Sequence, residues 1–220
     1  MKKEIHITDS LADEFTQYMQ KHPQVYQELA EQITMHLPAQ QNSTIVDIGC
    51  GPGLLIKELL EKMPDCTLIG IEPNKHMLEL AQTLLNDLDA TRYKLLKKTV
   101  QHTSLTRQSI DVVVSRFSAY AWEKPEQGFT EIYRILKPGG IIFFELLNKG
   151  FPLYKRIFVK LSMLCKHAHH EVIRFHIQAY STAFSHKNII QVLNKVGFYN
   201  PTIIGRKRAW KFQVIAYKPQ

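Results

Sequence analysis

The stretch Thr44-Ile45-Val46-Asp47-Ile48-Gly49-Cys50-Gly51-Pro52-Gly53 decides how this chain reads. TIVDI (44–48) is a short apolar run carrying an acid near its end, and LLIKELLEKM (54–63) continues at helical spacing. Strand, glycine turn and helix are therefore expected in succession. Glycines let the backbone turn sharply and leave room for a ligand against the main chain. Free N–H groups at the following helix N-terminus favour an anionic group. A second apolar run, CTLIGIE (66–72), ends in Glu72, 25 residues after Asp47. Neighbouring parallel strands would set that acid beside the turn, where it can accept both hydroxyls of a ribose.

The spacing separates this turn from two related ones. Dinucleotide sites use G-x-G-x-x-G, whose third glycine permits close helix packing. Here the pattern is G-x-G-x-G, with Leu at position 54. A P-loop needs Gly-Lys-Ser/Thr, and none follows.

Outward from the turn, strands and helices alternate. NKHMLELAQTLLND (74–87) reads as helix, YKLLKKT (93–99) as a weak third strand and IDVVVS (110–115) as a fourth. EKPEQGFTEIYRILKPGG (123–140) reads as a helix stopped by Pro138-Gly139-Gly140, before a fifth strand, IIFFELL (141–147). Runs without polar alternation are buried on both faces, which implies a parallel sheet covered by helices on both sides. Residues 9–37 read as helix interrupted at Pro23, and 186–196 as helix ended by Gly197. YNPTIIG (199–205) and WKFQVIAYK (210–218) read as an antiparallel hairpin. The expected architecture is one α/β domain with a doubly wound, seven-stranded, mostly parallel sheet. A helical cap spans 1–40, the ligand-binding core 41–147, a substrate-side insertion 148–182, and a terminal helix and hairpin 183–220.

Composition narrows the class. With 220 residues, 45% hydrophobic, the chain can bury a full core. No apolar run reaches the ~20 residues of a membrane span. MKKEIHITDS has charge without an apolar segment, so no signal peptide is expected. Cys50, Cys66 and Cys165 show no paired spacing, which fits a reducing cytoplasm and no zinc framework. Net charge is +8, unevenly placed: residues 146–220 carry 13 Lys and Arg against one acid, Glu171. That asymmetry points to an anionic partner (nucleic acid, an anionic membrane or an acidic substrate) or to plain solvated charge.

VDIGCGPG (46–53), IGIEPN (70–75), IDVVVSRFSAY (110–120) and EIYRILKPGGIIFFE (131–145) stand in order with sensible gaps. Together they resemble the class I S-adenosylmethionine-dependent methyltransferases over about residues 40–145 and 186–218. The resemblance implies S-adenosylmethionine as cofactor and S-adenosylhomocysteine as product. It implies that Gly49, Cys50, Gly51 and Gly53 face the methionine part, that Asp47 reaches its amino group, and that Glu72 holds the ribose. Pro73 and Met77 would border the adenine, and Ser115 would act through its backbone. The family often carries an Asp after the third strand. Thr99 stands there instead, so Val100 or Gln101 is the expected substitute.

The acceptor side is read from the loop after strand four, because open α/β sheets bind ligands beyond the carboxyl ends of their strands. Phe117, Tyr120 and Trp122 are candidates to shape a pocket, Arg116 to meet an anionic group, Glu145 to act as acid, base or anchor, and Tyr18 to line the far wall. The Asn/Asp-Pro-Pro-Tyr/Phe signature of adenine-N6 methylation is missing. Ser115-Arg116-Phe117-Ser118 occupies its place. Residues 148–170 mix apolar side chains with Lys155, Arg156, Lys160 and Lys166, the pattern of a membrane-surface segment, a lid or a core helix. His167, His169, His170 and His176 lack matching metal-ligand spacing, so no metal is expected. The expected activity is methyl transfer to a small apolar or aromatic acceptor of quinone-like or lipid-associated character. RNA methylation and cofactor binding without catalysis are the alternatives, and the oligomeric state is left open.

Overall fold

The computed structural model describes residues 8–37, 42–157 and 179–220. Its centre is a seven-stranded sheet of order β3-β2-β1-β4-β5-β7-β6. The strands are β1 (Thr44–Ile48), β2 (Thr67–Ile71), β3 (Tyr93–Leu96), β4 (Ile110–Arg116), β5 (Leu136–Leu147), β6 (Tyr199–Ile204) and β7 (Lys211–Tyr217). The first five are parallel. β7 is antiparallel to both β5 and β6, lying between them. The hairpin expected at the edge is present, with its second strand inserted into the sheet.

The helices are α1 (Asp9–Gln20), α2 (Gln24–His36), α3 (Leu54–Lys62), α4 (Lys75–Leu84), α5 (Pro125–Ile135) and α6 (His186–Val196). Side chains alternate across a strand, so each strand feeds two cores. Ile45, Val112, Val114, Phe143 and Ile215 pack under α2 and α3. Val46, Val113, Ile142, Phe144 and Val214 pack under α5 and α6.

One boundary differs from the sequence reading. Helix α5 ends at Ile135, before Pro138-Gly139-Gly140, and Leu136 already pairs with Ile110 in the sheet. The Pro-Gly-Gly segment bulges opposite Asp111, between the Ile110–Leu136 and Val112–Ile141 pairs. Two lysines hold the irregularity. Lys137 reaches Asp111 Oδ1 at 2.6 Å, and Lys218 donates to the carbonyls of Tyr133 and Leu136 at 2.8 and 2.7 Å. Helix-end carbonyls lack intrahelical partners, and a lysine from β7's end satisfies them here. The expected insertion 148–182 is described only at 148–157 and 179–182; Cys165, the four histidines and the rest of the basic apolar stretch lie outside the described residues.

Candidate cofactor and acceptor site

The glycine turn forms as the β1 sequence dictates. Ile48 ends the strand, and the N–H groups of Gly49 and Cys50 both donate to Ile71 O, at 2.7 and 3.2 Å, locking the turn to β2. Gly49, Gly51 and Gly53 have φ of 71°, 53° and 80°, a region that other residues enter only with strain. The three positions nevertheless face different surroundings. A Cβ on Gly49 would stand 2.3 Å from Ser118 Cβ, and one on Gly53 would stand 3.1 Å from Ala81 Cβ on α4. At Gly51 the nearest atom is Met77 Sδ, at 3.9 Å. Gly49 and Gly53 therefore serve close packing, and Gly51 opens onto space. The Cys50 side chain turns into the core against Gly70, where burial and the nearby Asp47 and Glu72 raise its thiol well above the usual range.

Two carboxylates flank that space. Glu72 is 7% exposed, and its oxygens accept from Gly51 N–H at 3.1 Å and Asn74 N–H at 3.0 Å. Burial raises its pKa, and those two hydrogen bonds oppose the rise. Asp47 is 2% exposed, and its Oδ1 is buried with no hydrogen-bond partner. Desolvation first, and Glu72 second, push its pKa up to about 8. A buried acid without a cation is costly. A ligand bearing an ammonium or sulfonium would relieve both acids, and ribose hydroxyls suit the remaining lone pairs of Glu72. The residues present thus fit S-adenosylmethionine. Met77 is buried above Gly51, on a helix capped by Asn74, whose side chain accepts from Met77 N–H at 3.0 Å. Pro73 is exposed beside it.

On the opposite side of the turn, Ser115 and Ser118 both donate to Ile48 O, at 2.7 and 2.9 Å. They tie the loop after β4 to the end of β1. The Val100 side chain packs into the α5 core near Trp122, so only its main chain is left to meet a ligand. Gln101 lines a groove of about 750 Å³ beside α5, with His102, Arg107 and Arg134.

The acceptor-side candidates separate sharply. Arg116 is held in a buried network: its Nε reaches Glu145 Oε1 at 3.0 Å, and its NH1 donates to the Tyr26 hydroxyl at 3.2 Å. Its guanidinium also lies over the rings of Tyr26 and Phe117, at 4.6 and 4.3 Å. Glu145 is fully buried, and its other oxygen accepts from Lys211 at 2.6 Å and Gln213 at 3.3 Å. Both of its oxygens are thus taken up inside the protein, in a salt-bridge network with Arg116 and Lys211. Tyr120 is half-buried with Phe117 against Leu147, Phe151, Ala179, Tyr180 and Ala183. Burial, with Glu72 contributing, raises the Tyr120 hydroxyl pKa, and burial pushes that of Tyr180 up to about 12.

Trp122 does not join this cluster. It is 7% exposed and packs against Phe129 and Phe144 on the other side of the sheet. Tyr18, on α1, is 61% exposed and lies against His22 just beyond the helix end, so it stands in solvent rather than in the aromatic cluster. Sequence reasoning missed Tyr26, Ser118, Tyr180 and Trp210. Tyr26 had a signal, since it shares α2's buried stripe with Leu29, Ala30 and Ile33. Trp210, whose ring is 5.4 Å from Phe117, had none. Among the described residues no group of His, Cys, Asp and Glu is placed to hold a metal.

Comparison with known proteins agrees with this geometry. A methyltransferase domain model matches residues 46–144. Malonyl-[acyl-carrier protein] O-methyltransferase of Marinomonas sp. is 30% identical over 121 residues, 54% of this chain and 44% of the relative. Ubiquinone biosynthesis O-methyltransferase of Vibrio atlanticus is 28% identical over 138 residues, 59% of this chain and 56% of the relative. A crystal structure from Methanococcus maripaludis, assigned to the S-adenosyl-L-methionine-dependent methyltransferases, superposes with a TM-score of 0.74 at 25% identity, covering 100% of this chain and 97% of that one. Residues 46–144 match a methyltransferase domain, and in fold and cofactor-site sequence the chain is similar to the class I S-adenosylmethionine-dependent methyltransferases. It spans about half the length of the curated relatives it matches.

Proposed function

We propose that the chain transfers a methyl group from S-adenosylmethionine to an oxygen of a small acceptor with an apolar or aromatic body. The observation that carries this reading is one juxtaposition. The open space at Gly51 lies beside the loop after β4, which packs on Gly49 through Ser118 and carries Phe117 and Tyr120 into the aromatic cluster.

When bound, the cofactor supplies an electrophilic methyl on a positively charged sulfur. The chain's own residues act by position and field. Asp47 and Glu72 make the cofactor side electronegative, which favours a cationic donor and disfavours a neutral product. Phe117, Tyr120 and Tyr180 offer apolar surface to the acceptor body and keep water from it. With raised pKa values both tyrosines stay protonated near neutrality and donate hydrogen bonds rather than accept protons. Glu145 is saturated by Arg116, Lys211 and Gln213, so it is not built to take a proton either. An acceptor oxygen that is already anionic needs no base. With the cofactor bound, that oxygen would gain the methyl as the sulfur–carbon bond broke, the electron pair staying on sulfur. Arg116 and Lys211 share the single carboxylate of Glu145, which leaves a net positive charge beneath the site for such an oxygen. The Marinomonas and Vibrio relatives are both named for O-methylation, which supports this acceptor atom.

The test is incubation with methyl-labelled S-adenosylmethionine and a host-cell extract, followed by separation into organic-soluble, protein and nucleic-acid fractions. Label in the organic phase, released by mild alkali if it is an ester, is the expected result. Label in RNA overturns the small acceptor. Tight binding of S-adenosylhomocysteine with no label in any fraction makes the chain a binder without turnover.

A further inference from the structure

The C-terminal third carries an unusual surface beside the acceptor cluster. Leu153 is 70% exposed, Tyr154 68%, Ile157 51% and Trp210 40%. Among the described residues these four are most of the large apolar side chains left in water. Lys149, Lys155, Arg206, Lys207 and Arg208 stand exposed around them. The apolar residues lie on segment 149–157 and on the loop between β6 and β7, distant in sequence: Asn148 and Lys207 are 59 residues apart. One buried side chain joins them. Asn148, 1% exposed, donates from Nδ2 to Lys207 O at 3.0 Å and to Ala209 O at 2.9 Å, and its own N–H donates to Trp210 O at 3.0 Å. Its Oδ1 accepts from Gly150 N–H at 2.8 Å, and Arg156 closes the turn by donating to Phe151 O at 2.8 Å. The two segments are thus fixed as one surface.

Isolated exposed apolar residues are ordinary, but a cluster rimmed by charge of one sign marks an interaction site. The rim identifies the occupant. All its charges are positive, and Glu171 is the single acid in residues 146–220. A protein partner would offer directional hydrogen-bonding groups to shaped pockets. Here aliphatic and aromatic side chains project outward beside flexible lysines and arginines, the arrangement that suits acyl chains below anionic headgroups. Trp and Tyr belong at that depth because each has an apolar ring with a polar edge.

We propose that the surface formed by 149–157 and 206–210 docks the protein on an anionic lipid bilayer. No described helix is long and apolar enough to cross a membrane, and an apolar surface with a basic rim supports peripheral, reversible attachment. Docking sets the acceptor cluster at the bilayer, because Trp210 borders Phe117 and Arg156 covers the Tyr180 ring at 4.8 Å. An acceptor dissolved in the bilayer can reach the site without crossing water.

The test uses the whole protein with vesicles of phosphatidylcholine alone or mixed with phosphatidylglycerol. Binding to the mixed vesicles at low salt, weakening as salt rises, is expected, together with a blue shift of Trp210 emission. Trp122, the other tryptophan, is already buried and contributes a constant background. R206E/K207E/R208E should lower partition on the order of a hundredfold, since each basic residue near an anionic surface contributes about fivefold. L153D/Y154D should lose binding too, while both variants keep S-adenosylhomocysteine affinity, which shows that they fold. Absence of vesicle binding at low salt, binding unchanged by both variants, or preference for an RNA duplex over the vesicles overturns the proposal. None of these outcomes bears on which acceptor is methylated.

Discussion

Arg116 and Glu145 are register partners on parallel strands β4 and β5, and their side chains close a 3.0 Å ion pair beneath the site. Side-chain exposure is 8% for Arg116 and 1% for Glu145. Removing one member of such a pair strands a buried charge, which costs about 3–5 kcal/mol. Glu145→Ala is expected to lose stability on that scale in urea denaturation, because Arg116 and Lys211 would both lose their acceptor. Glu145→Gln, which keeps one carbonyl oxygen, should lose less. If Glu145 were a proton acceptor instead, Glu145→Gln would abolish turnover while leaving stability nearly unchanged.

The glycine turn gives a second expectation. Gly49→Ala meets Ser118 at 2.3 Å and Gly51→Ala meets nothing closer than 3.9 Å, although both positions have positive φ. Forcing a side chain into that backbone region costs roughly 1–2 kcal/mol. Gly51→Ala should therefore lose about that much stability, and Gly49→Ala distinctly more. Ser118→Gly should recover part of the Gly49→Ala loss. Thermal unfolding checks the order. Isothermal titration with S-adenosylhomocysteine should show Gly51→Ala losing affinity out of proportion to its stability loss, since the added methyl occupies ligand space.

Asp47 makes a pH-dependent contribution of definite sign. Its pKa lies near 8 in the folded protein against 3.8 ordinarily. Both states hold the proton at low pH, so the group then imposes no penalty. As pH rises past 3.8 the unfolded chain ionises first, and stability falls until the folded group also ionises near 8. Against Asp47→Asn, the wild-type ligand-free protein should lose a few kcal/mol of stability across that window. Urea denaturation from pH 4 to 9 measures the difference. A flat difference would mean that Asp47 is solvated or paired in solution. S-adenosylhomocysteine should restore stability near pH 7 with release of up to one proton, detected by calorimetry in buffers of different ionisation enthalpy. Asp47→Asn should abolish that release.

Three aromatic residues should behave differently, though all were candidates for one pocket. Tyr18→Ala should leave stability and turnover unchanged within error, given the side chain's 61% exposure. Trp122→Ala should cost about 3–5 kcal/mol through the cavity left between Phe129 and Phe144. Tyr120→Phe should keep the fold and cofactor affinity while raising the acceptor KM. Chemical denaturation and steady-state kinetics together separate the three.

The cofactor side was legible in the chain because its physics is local. Asp47, Ile48 and the three glycines are consecutive or nearly so, and a strand, turn and helix place them by short-range geometry. Glu72 followed because a parallel neighbour strand ends at the same rim. The alternation of strand and helix likewise implied the sheet. The acceptor side was not legible, because its members meet only across the sheet. Side-chain alternation along β4, β5 and β7 puts Arg116, Glu145, Lys211 and Gln213 on the α2 face, but their register is decided by pairing. Tyr120 and Trp122 are two residues apart, yet a 3₁₀ turn at Ala119–Ala121 sends one to the acceptor cluster and the other into the α5 core. The basic third of the chain was evident as composition. Only the tertiary structure, through Asn148, joined two distant segments of it into one surface. Local sequence determines elements and turns through backbone preference and hydrophobic period. Which charges become partners depends on contacts distant in sequence, whose geometry exists only once the sheet has assembled.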